Sequence, residues 1–257
     1  TDRGVISTSN YIARRYGVRS GMATATAERL CPGLVLLPVR FERYEAVTRR
    51  LDVIFRRYTS NVEFLSLDEA TLDVTGQVYC NGSATYMANR IRASIEQKLH
   101  LTASAGVAPL KYLAKMASEV NKPNGQFVIA PHQVQAFLKN LDIRKIPGVG
   151  PKTWAVLQAL GCTKCADVTD EMIPALLRHL GAHGFYVWER CRGQESYEGK
   201  PGAVQSLGVE HTLPSDCNDF ACCLRELDEL LGTLAKRLEV LGLSLIHISE
   251  PTRPLYI

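Results

Sequence analysis

Helical and strand-like patterns alternate along residues 1–130, whereas residues 131–193 carry helical patterns alone. After Phe41 the apolar residues recur every three or four positions, which is the period of an amphipathic helix. Residues 62–74 are instead strand-like on both sides of an acidic pair. This alternation predicts an α+β sheet domain followed by an all-helical domain, with a boundary near Pro131.

Other local patterns predict where individual elements begin and end. Residues 24–30 are a predicted short helix, and Ser83 is a predicted helix N-cap. Residues 4–9 are predicted to form a short strand, and residues 34–38 a buried one. The helical pattern that ends near Leu241 belongs to a third predicted unit, which follows a linker.

The composition excludes several classes of protein. With 257 residues, a net charge of +4 and 46% hydrophobic residues, the chain is predicted to be globular rather than disordered. Its apolar runs are far shorter than the roughly 20 residues that span a bilayer, so no membrane segment is predicted. Eight irregularly spaced cysteines and no signal peptide indicate free thiols and a cytoplasmic location.

Positive charge is concentrated at the start of the chain. Residues 1–50 hold nine arginines, no lysine and four acidic residues. A guanidinium group can donate two parallel hydrogen bonds to the oxygens of a phosphate, so this segment suits a polyanion such as a nucleic acid. A solvated basic surface without a ligand is the alternative.

Both ends of the chain look unlike those of an intact natural protein. The chain begins at Thr1 without a methionine, which predicts a start inside a gene. Residues 243–253 match, residue for residue, the translation of a transposon-derived sequencing-library adapter. Residues 243–257 are therefore predicted not to be native, and a native strand is the alternative.

Asp68 and Glu69 are adjacent carboxylates between two strand-like segments. Neighbouring side chains of a regular strand face opposite ways, so these two converge only if the chain turns between them. Carboxylates at strand ends are hard oxygen ligands for Mg²⁺, and a two-metal site of this kind promotes phosphoryl transfer. The pair predicts a magnesium site, and an acidic turn without a ligand is the alternative.

Two further motifs suit phosphate groups. Residues 121–125 form a predicted tight turn that can aim Lys122 at a phosphate, or else a helix end with a favourable cation. Residues 146–150 place glycines before a predicted helix and are followed by Lys152. This second motif resembles a helix-hairpin-helix that binds the DNA backbone, and a plain helix-helix turn is the alternative.

Taken in this order, the motifs resemble the Y family of translesion DNA polymerases, in its bacterial DinB branch. The resemblance covers about residues 1–240, and the matching segments are residues 4–7, 10–20, 65–74, 104–108 and 122–125. It implies a right-hand architecture whose parts follow one another along the chain. These are fingers (1–38), palm without its first strand (39–130), thumb with the helix-hairpin-helix (131–193), linker (194–205), part of the little finger (206–242) and non-native tail (243–257).

The resemblance also implies the roles of particular residues. Asp68 would ligate two catalytic Mg²⁺ ions, and Glu69 would be the neighbouring catalytic acidic residue, shared with one metal. Tyr11 and Arg14 would contact the triphosphate of the incoming nucleotide from the fingers. Lys122 would reach the same triphosphate from the palm.

The activity implied is Mg²⁺-dependent nucleotidyl transfer onto a DNA primer during damage bypass. Implied partners are primer-template DNA, deoxynucleoside triphosphates and, for the full-length protein, a sliding clamp; a monomer is expected. The implied contacts with the DNA backbone are at Gly148, Gly150 and Lys152. A further metal-binding aspartate and the ribonucleotide gate of the family would precede Thr1, so this chain is predicted to be nearly inactive. Two alternatives remain, a non-catalytic DNA-binding module and a mutasome-type Y-family subunit.

Overall fold

The structure is a computed structural model that describes residues 3–196, 206–213, 215–217 and 219–242. The tail that is predicted to be non-native, residues 243–257, lies outside the described residues, as does most of the predicted linker. The chain divides into two compact units, one formed by Thr1–Val39 with Gly199–Ile257 and the other by Arg40–Glu198. Among the described residues, no helix combines the length and the apolar character needed to cross a membrane.

The first unit contains three helices among its described residues, and these are α1 (Tyr11–Arg15), α2 (Thr24–Leu30) and α10 (Phe220–Val240). Helix α1 begins where the Asn10 side chain accepts a hydrogen bond from the Ala13 amide at 2.8 Å. Helix α2 has the predicted bounds. A small core of buried side chains joins the two short helices, and its members are Ile6, Ala13, Val18, Ala27 and Cys31.

Two predicted strands of this unit are wrong. Of residues 4–9 only Val5 pairs, in a single antiparallel bridge with Ala23. Residues 34–38 carry no strand pairing in the described part of the chain, and the side chains of Val35 and Leu37 are 78% and 80% exposed. An apolar run becomes a strand only beside another backbone that satisfies its N–H and C=O groups, and composition does not reveal that neighbour.

Two of the eight cysteines lie next to each other. The Cα atoms of Cys217 and Cys222 are 6.3 Å apart. This separation is within the range that a disulfide can bridge. The remaining six cysteines are free thiols.

The second unit begins with helix α3 (Phe41–Phe55), followed by strands β1 (Val62–Phe64) and β2 (Ala70–Leu72). The two strands are antiparallel, with Phe64 opposite Ala70, so they form a hairpin. Helix α4 (Ala84–Leu99) follows, and it begins at the predicted cap, because the Ser83 hydroxyl accepts a hydrogen bond from the Tyr86 amide at 3.2 Å. Buried side chains of α3 and α4 pack under the hairpin, and they are Ile54, Phe55 and Ile95.

A second pair of strands lies on either side of one helix in the sequence. Strand β3 (Ala105–Val107) is parallel to β4 (Gln126–Val128), and helix α5 (Lys111–Val120) connects them. Helix α5 packs so closely on β3 that a Cβ at Gly106 would lie 1.9 Å from the Ala114 carbonyl oxygen. This contact requires glycine and fixes the distance between the helix and the strand.

The rest of this unit is helical, and its α-helices are α6 (Val134–Lys139), α7 (Pro151–Ala159), α8 (Ile173–Leu180) and α9 (Ala182–Cys191). Short 3-10 turns connect them. Their largest core is shared with α5, since Leu113 is buried in the same cluster as Leu157, Leu176 and Val187. The mixture of helix and sheet confirms the predicted α+β class.

Candidate active site

The carboxylate turn, residues 65–69, connects β1 and β2. The Leu65 amide donates to the Glu69 carbonyl oxygen at 2.8 Å and closes the hairpin. The Ser66 hydroxyl donates to Oδ1 of Asp68 at 2.7 Å, and the Asp68 side chain is exposed. The predicted turn between Asp68 and its neighbour is confirmed, because the two carboxylates stand where the strands meet.

Helix α5 presents lysines to this hairpin. The Lys115 ammonium group pairs with the Glu69 carboxylate, and the Lys111 ammonium pairs with Glu63 on β1. The role of Lys115 was not predicted from the sequence. Its only signal was the spacing of four residues between the two lysines, which places both on one side of a helix.

The two carboxylates of the turn fit a magnesium site by their chemistry. Mg²⁺ binds to one or two carboxylates and completes its coordination with water and substrate phosphates. Asp68 and Glu69 supply such hard oxygen donors, and Glu69 already attracts the cationic Lys115. Within the described residues, no group of three or more His, Cys, Asp or Glu side chains is placed to hold a metal ion.

A further carboxylate stabilises the end of this hairpin. Asp73 follows β2, and its Oδ1 accepts a hydrogen bond from the Thr75 amide at 2.9 Å. Hydrogen bonds from Thr75, chiefly from its side chain, lower the pKa of Asp73 below its ordinary value of 3.8. The ionised form of Asp73 therefore stabilises the end of β2.

The lysine loop, residues 121–125, connects α5 to β4. The Asn121 side-chain amide donates to the Gln126 carbonyl oxygen at 2.8 Å, and the Ala105 amide donates to the Gly125 carbonyl oxygen at 3.0 Å. Lys122 pairs with Glu119 at the end of α5. The Lys122 side chain is exposed enough to exchange this surface partner for an anion.

Tyr11 and Arg14 lie on α1, in the other compact unit. The Tyr11 side chain is 53% exposed at the first position of the helix. The Arg14 Nε group donates to the Ser9 carbonyl oxygen at 2.9 Å, while Arg19 donates to the Arg14 carbonyl oxygen at 2.7 Å. Helix α1 is thus a short platform with an exposed aromatic ring and two guanidinium groups close to its surface.

The predicted helix-hairpin-helix places Gly148 and Gly150 immediately before α7, with a 3-10 turn, Ile143–Lys145, on its other side. Gly148 has a φ of +92°, a left-handed conformation that favours glycine. The His183 imidazole donates to the Gly148 carbonyl oxygen at 3.1 Å, so α9 supports the hairpin. Lys152 is exposed in the first turn of α7.

Two sequence families match the chain in the order of these sites. The impB/mucB/samB family matches residues 1–119, and the HHH motif of the IMS family matches residues 132–161. A DNA polymerase IV of Yersinia pestis (strain Pestoides F) is 51% identical over 249 residues, which are 96% of this chain and 70% of that protein. The chain belongs to the Y family of DNA polymerases. A Pectobacterium atrosepticum DNA polymerase IV is 53% identical to this Y-family polymerase over 92% of its chain and 68% of the relative.

Solved structures of Y-family polymerases have the same fold. A chimera of the Y-family polymerases Dbh and Dpo4 superimposes with a TM-score of 0.84 at 32% identity, over 92% of this chain and 70% of the chimera. An insertion ternary complex of Dbh DNA polymerase superimposes with a TM-score of 0.71 at 31% identity, over 91% of this chain and 69% of that chain. These neighbours confirm the predicted polymerase architecture for this Y-family member.

Proposed function

We propose that this Y-family chain carries the nucleotidyl-transfer site of a translesion DNA polymerase, which adds deoxynucleotides to a primer opposite damaged DNA. The observation that carries the proposal is the carboxylate turn, where Asp68 and Glu69 follow one another directly before β2. Lysines of the neighbouring helix α5 face this hairpin. Paired carboxylates beside cationic side chains suit a reaction of a polyphosphate substrate.

Asp68 and Glu69 are the residues that would hold magnesium, as two ions in our proposal. When bound, the metal supplies charge stabilisation for the attacking and leaving oxygens. The Ser66 hydroxyl orients the Asp68 carboxylate through its hydrogen bond. Lys115 pairs with Glu69, so its positive charge lowers the repulsion between the two adjacent carboxylates.

Lys122 is proposed to bind the triphosphate of the incoming nucleotide. Its present partner Glu119 is exposed, and an exposed ion pair contributes about 0–1 kcal/mol, so the exchange costs little. Tyr11 and Arg14 of α1 are proposed to contact the same triphosphate, since an exposed ring and a guanidinium group suit a nucleotide. These residues bind and orient the substrate rather than form bonds to it.

The helix-hairpin-helix is proposed to bind the DNA backbone. Gly148 and Gly150 allow a phosphate to approach amide groups near the start of α7, and Lys152 adds a positive charge there. Partners proposed on this basis are primer-template DNA and deoxynucleoside triphosphates, and a sliding clamp for the full-length protein. The fingers, palm, thumb and little-finger boundaries at residues 38, 130, 193 and 206 belong to the same proposal, as does a monomeric state in the cytoplasm.

The deciding experiment replaces Asp68 in the full-length protein. We expect Asp68→Ala to lower primer extension by roughly a thousandfold, because a metal contributes several kcal/mol and each 1.4 kcal/mol is tenfold. DNA affinity should stay within about twofold, since Asp68 is exposed and lies outside the helix-hairpin-helix that is proposed to bind DNA. Glu96→Ala, which removes an exposed carboxylate from α4, is the matched control and should retain extension.

The alternatives give different results in the same experiment. Equal losses of extension and of DNA affinity would assign Asp68 a role in folding. Salt-sensitive DNA binding without any Mg²⁺-dependent nucleotide binding would indicate a DNA-binding module. Extension that appears only after accessory proteins are added would indicate a mutasome-type subunit.

A further inference from the structure

Arg92 of helix α4 spans the gap between its own helix and the lysine loop. Its Nη2 donates to the Asn124 backbone carbonyl oxygen at 2.6 Å and to the Asn124 Oδ1 at 3.0 Å. Its Nε donates to the Ala103 carbonyl oxygen, just before β3, at 2.8 Å. One guanidinium group therefore joins the loop to the chain that precedes the parallel strand pair.

These three bonds depend on the shape of arginine. A guanidinium group is planar and presents several N–H donors in a rigid fork, whereas a lysine ammonium is a single point charge on a flexible stem. The Nε and Nη2 donors of Arg92 reach two different segments at once. No shorter or single donor could fix the distance between Ala103 and Asn124.

The bonds also hold an unusual backbone conformation. Asn124 has a φ of +49°, in the left-handed region that most side chains avoid. Asparagine tolerates this region better than most residues, and here both its backbone and side-chain oxygens accept bonds from Arg92. Because Lys122 lies two residues before Asn124, the direction of its side chain depends on this conformation.

The packing of α4 does not require these bonds. Met87 and Ile95 are buried on the same helix, with 1% and 4% exposure, and they attach it to the rest of the unit. Arg92 is only partly buried, and two of its three acceptors belong to the lysine loop. The bonds of Arg92 are thus directed at the loop rather than at the core.

We propose that Arg92 is a positioning residue for Lys122, which fixes the lysine loop so that the ammonium group meets the triphosphate of the incoming nucleotide. The inference rests on the proposed function, in which Lys122 binds that triphosphate. Arg92 itself touches no substrate. Its effect on nucleotide affinity is therefore expected to pass through Lys122 alone.

The test measures the affinity of the full-length protein, on primer-template DNA, for the complementary deoxynucleoside triphosphate. Ca²⁺ replaces Mg²⁺ so that binding is observed without extension. We expect Arg92→Gln to weaken this affinity about tenfold, because hydrogen bonds that involve a charged group contribute roughly that factor. Arg92→Lys keeps the charge but loses the fork, and it should resemble Arg92→Gln rather than the parent protein.

A double-mutant cycle with Lys122→Met tests whether Arg92 acts through the lysine. In the Lys122→Met background, Arg92→Gln should cause no further loss of affinity, since the group that it positions is gone. Losses that simply add would overturn the proposal and leave Arg92 with a general structural role. An Arg92→Gln variant with unchanged affinity would overturn it as well.

Two controls separate the possible failures. Arg90→Gln removes the same charge from an exposed position of the same helix and should leave nucleotide affinity unchanged. If Lys122→Met itself leaves the affinity unchanged, the proposed role of Lys122 is wrong, and that result is distinct from a failure of Arg92 alone. If thermal unfolding shows that Arg92→Gln does not fold, Arg92→Lys supplies the same comparison, and parent-like affinity in that variant would contradict positioning by the fork.

Discussion

The carboxylate turn and the lysine loop belong to the same compact unit, yet they are held in different ways. The turn is closed by hydrogen bonds between its own residues. Two side chains contact it from outside: the Thr48 hydroxyl donates to the Leu67 carbonyl oxygen at 2.6 Å, and Lys115 pairs with Glu69. The loop is held by Arg92 from another helix and by the backbone of the parallel strands. The loop is therefore fixed by its neighbours in the fold, whereas the turn relies mainly on bonds between its own residues.

This difference matches the ligands that the two sites are proposed to take. Magnesium is held by one or two carboxylates together with water and substrate phosphates, so the two side chains of the turn need not fix its position alone. A lysine that meets one phosphate among several must be aimed before the substrate arrives.

The largest loss of stability is expected from a substitution of Gly125 in the lysine loop. A Cβ there would lie 1.9 Å from the Asn121 carbonyl oxygen and 2.6 Å from the Asn121 Cβ. Gly125→Ala should lower the free energy of unfolding by about 2–3 kcal/mol, because the loop backbone must move apart. Urea unfolding followed by circular dichroism measures this change.

Gly150 offers a matched control in the same unit. A Cβ at Gly150 would meet no atom within 4 Å, and its φ of −87° suits any residue. Gly150→Ala should cost about 0.5 kcal/mol, mainly through a weaker helix cap. If Gly125→Ala were as stable as this control, the lysine loop would not be tightly preset.

A smaller effect is expected at Thr48, which supports the carboxylate turn from α3. Thr48→Val keeps the shape of the side chain and removes its hydrogen bond to Leu67, so it should cost about 1 kcal/mol. Amide hydrogen exchange should show faster opening of the turn than of the lysine loop. Thr48→Ser keeps the hydroxyl and should restore the protection of the turn. If the turn and the lysine loop opened at equal rates, the two segments would not differ in how firmly they are held.

The smallest effect is expected on acidification. The pKa of Asp73 is lower in the folded protein than in the unfolded chain. Its ionised form therefore stabilises the fold fully above about pH 4, the unfolded value, and this contribution is lost as the pH falls through the folded value. Asp73→Asn should flatten the fall in unfolding free energy below about pH 4 by a few tenths of a kcal/mol, because Asp73 is largely exposed.

Thr75→Val removes the hydroxyl that bonds to Asp73 and should reproduce part of the effect of Asp73→Asn. Urea unfolding at several pH values measures both variants. If the unfolding free energy of Asp73→Asn falls with acid as steeply as that of the parent protein, Asp73 does not contribute to the acid sensitivity of the β1–β2 hairpin.

Local structure was predicted well wherever the signal lies within a few residues. The bounds of α2, the cap at Ser83 and the turn between Asp68 and Glu69 follow from neighbouring side chains, and the structure confirms them. The strand predicted for residues 34–38 is wrong, because a strand depends on a partner that the local pattern does not contain.

The contacts that support the site could not be predicted from the sequence, for a related reason. Lys115 meets Glu69 across 46 positions of sequence, and Arg92 meets Asn124 across 32. Charge and spacing identify such residues as candidates, but only the packing of α4 and α5 selects their partners. The proposed ligands could thus be predicted from motifs, whereas the residues that hold them could not.

Helix α5 has one more consequence through the core that it shares with the helical region. Leu113 is fully buried in the same cluster as Leu157 and Val187, and the Tyr112 hydroxyl donates to the Arg190 carbonyl oxygen at 2.8 Å. The segment that ends in the lysine loop and the helices next to Gly148 therefore share one core, and we expect them to unfold together. Cleavage of the chain near residue 131 would divide a single core instead of releasing two folded pieces.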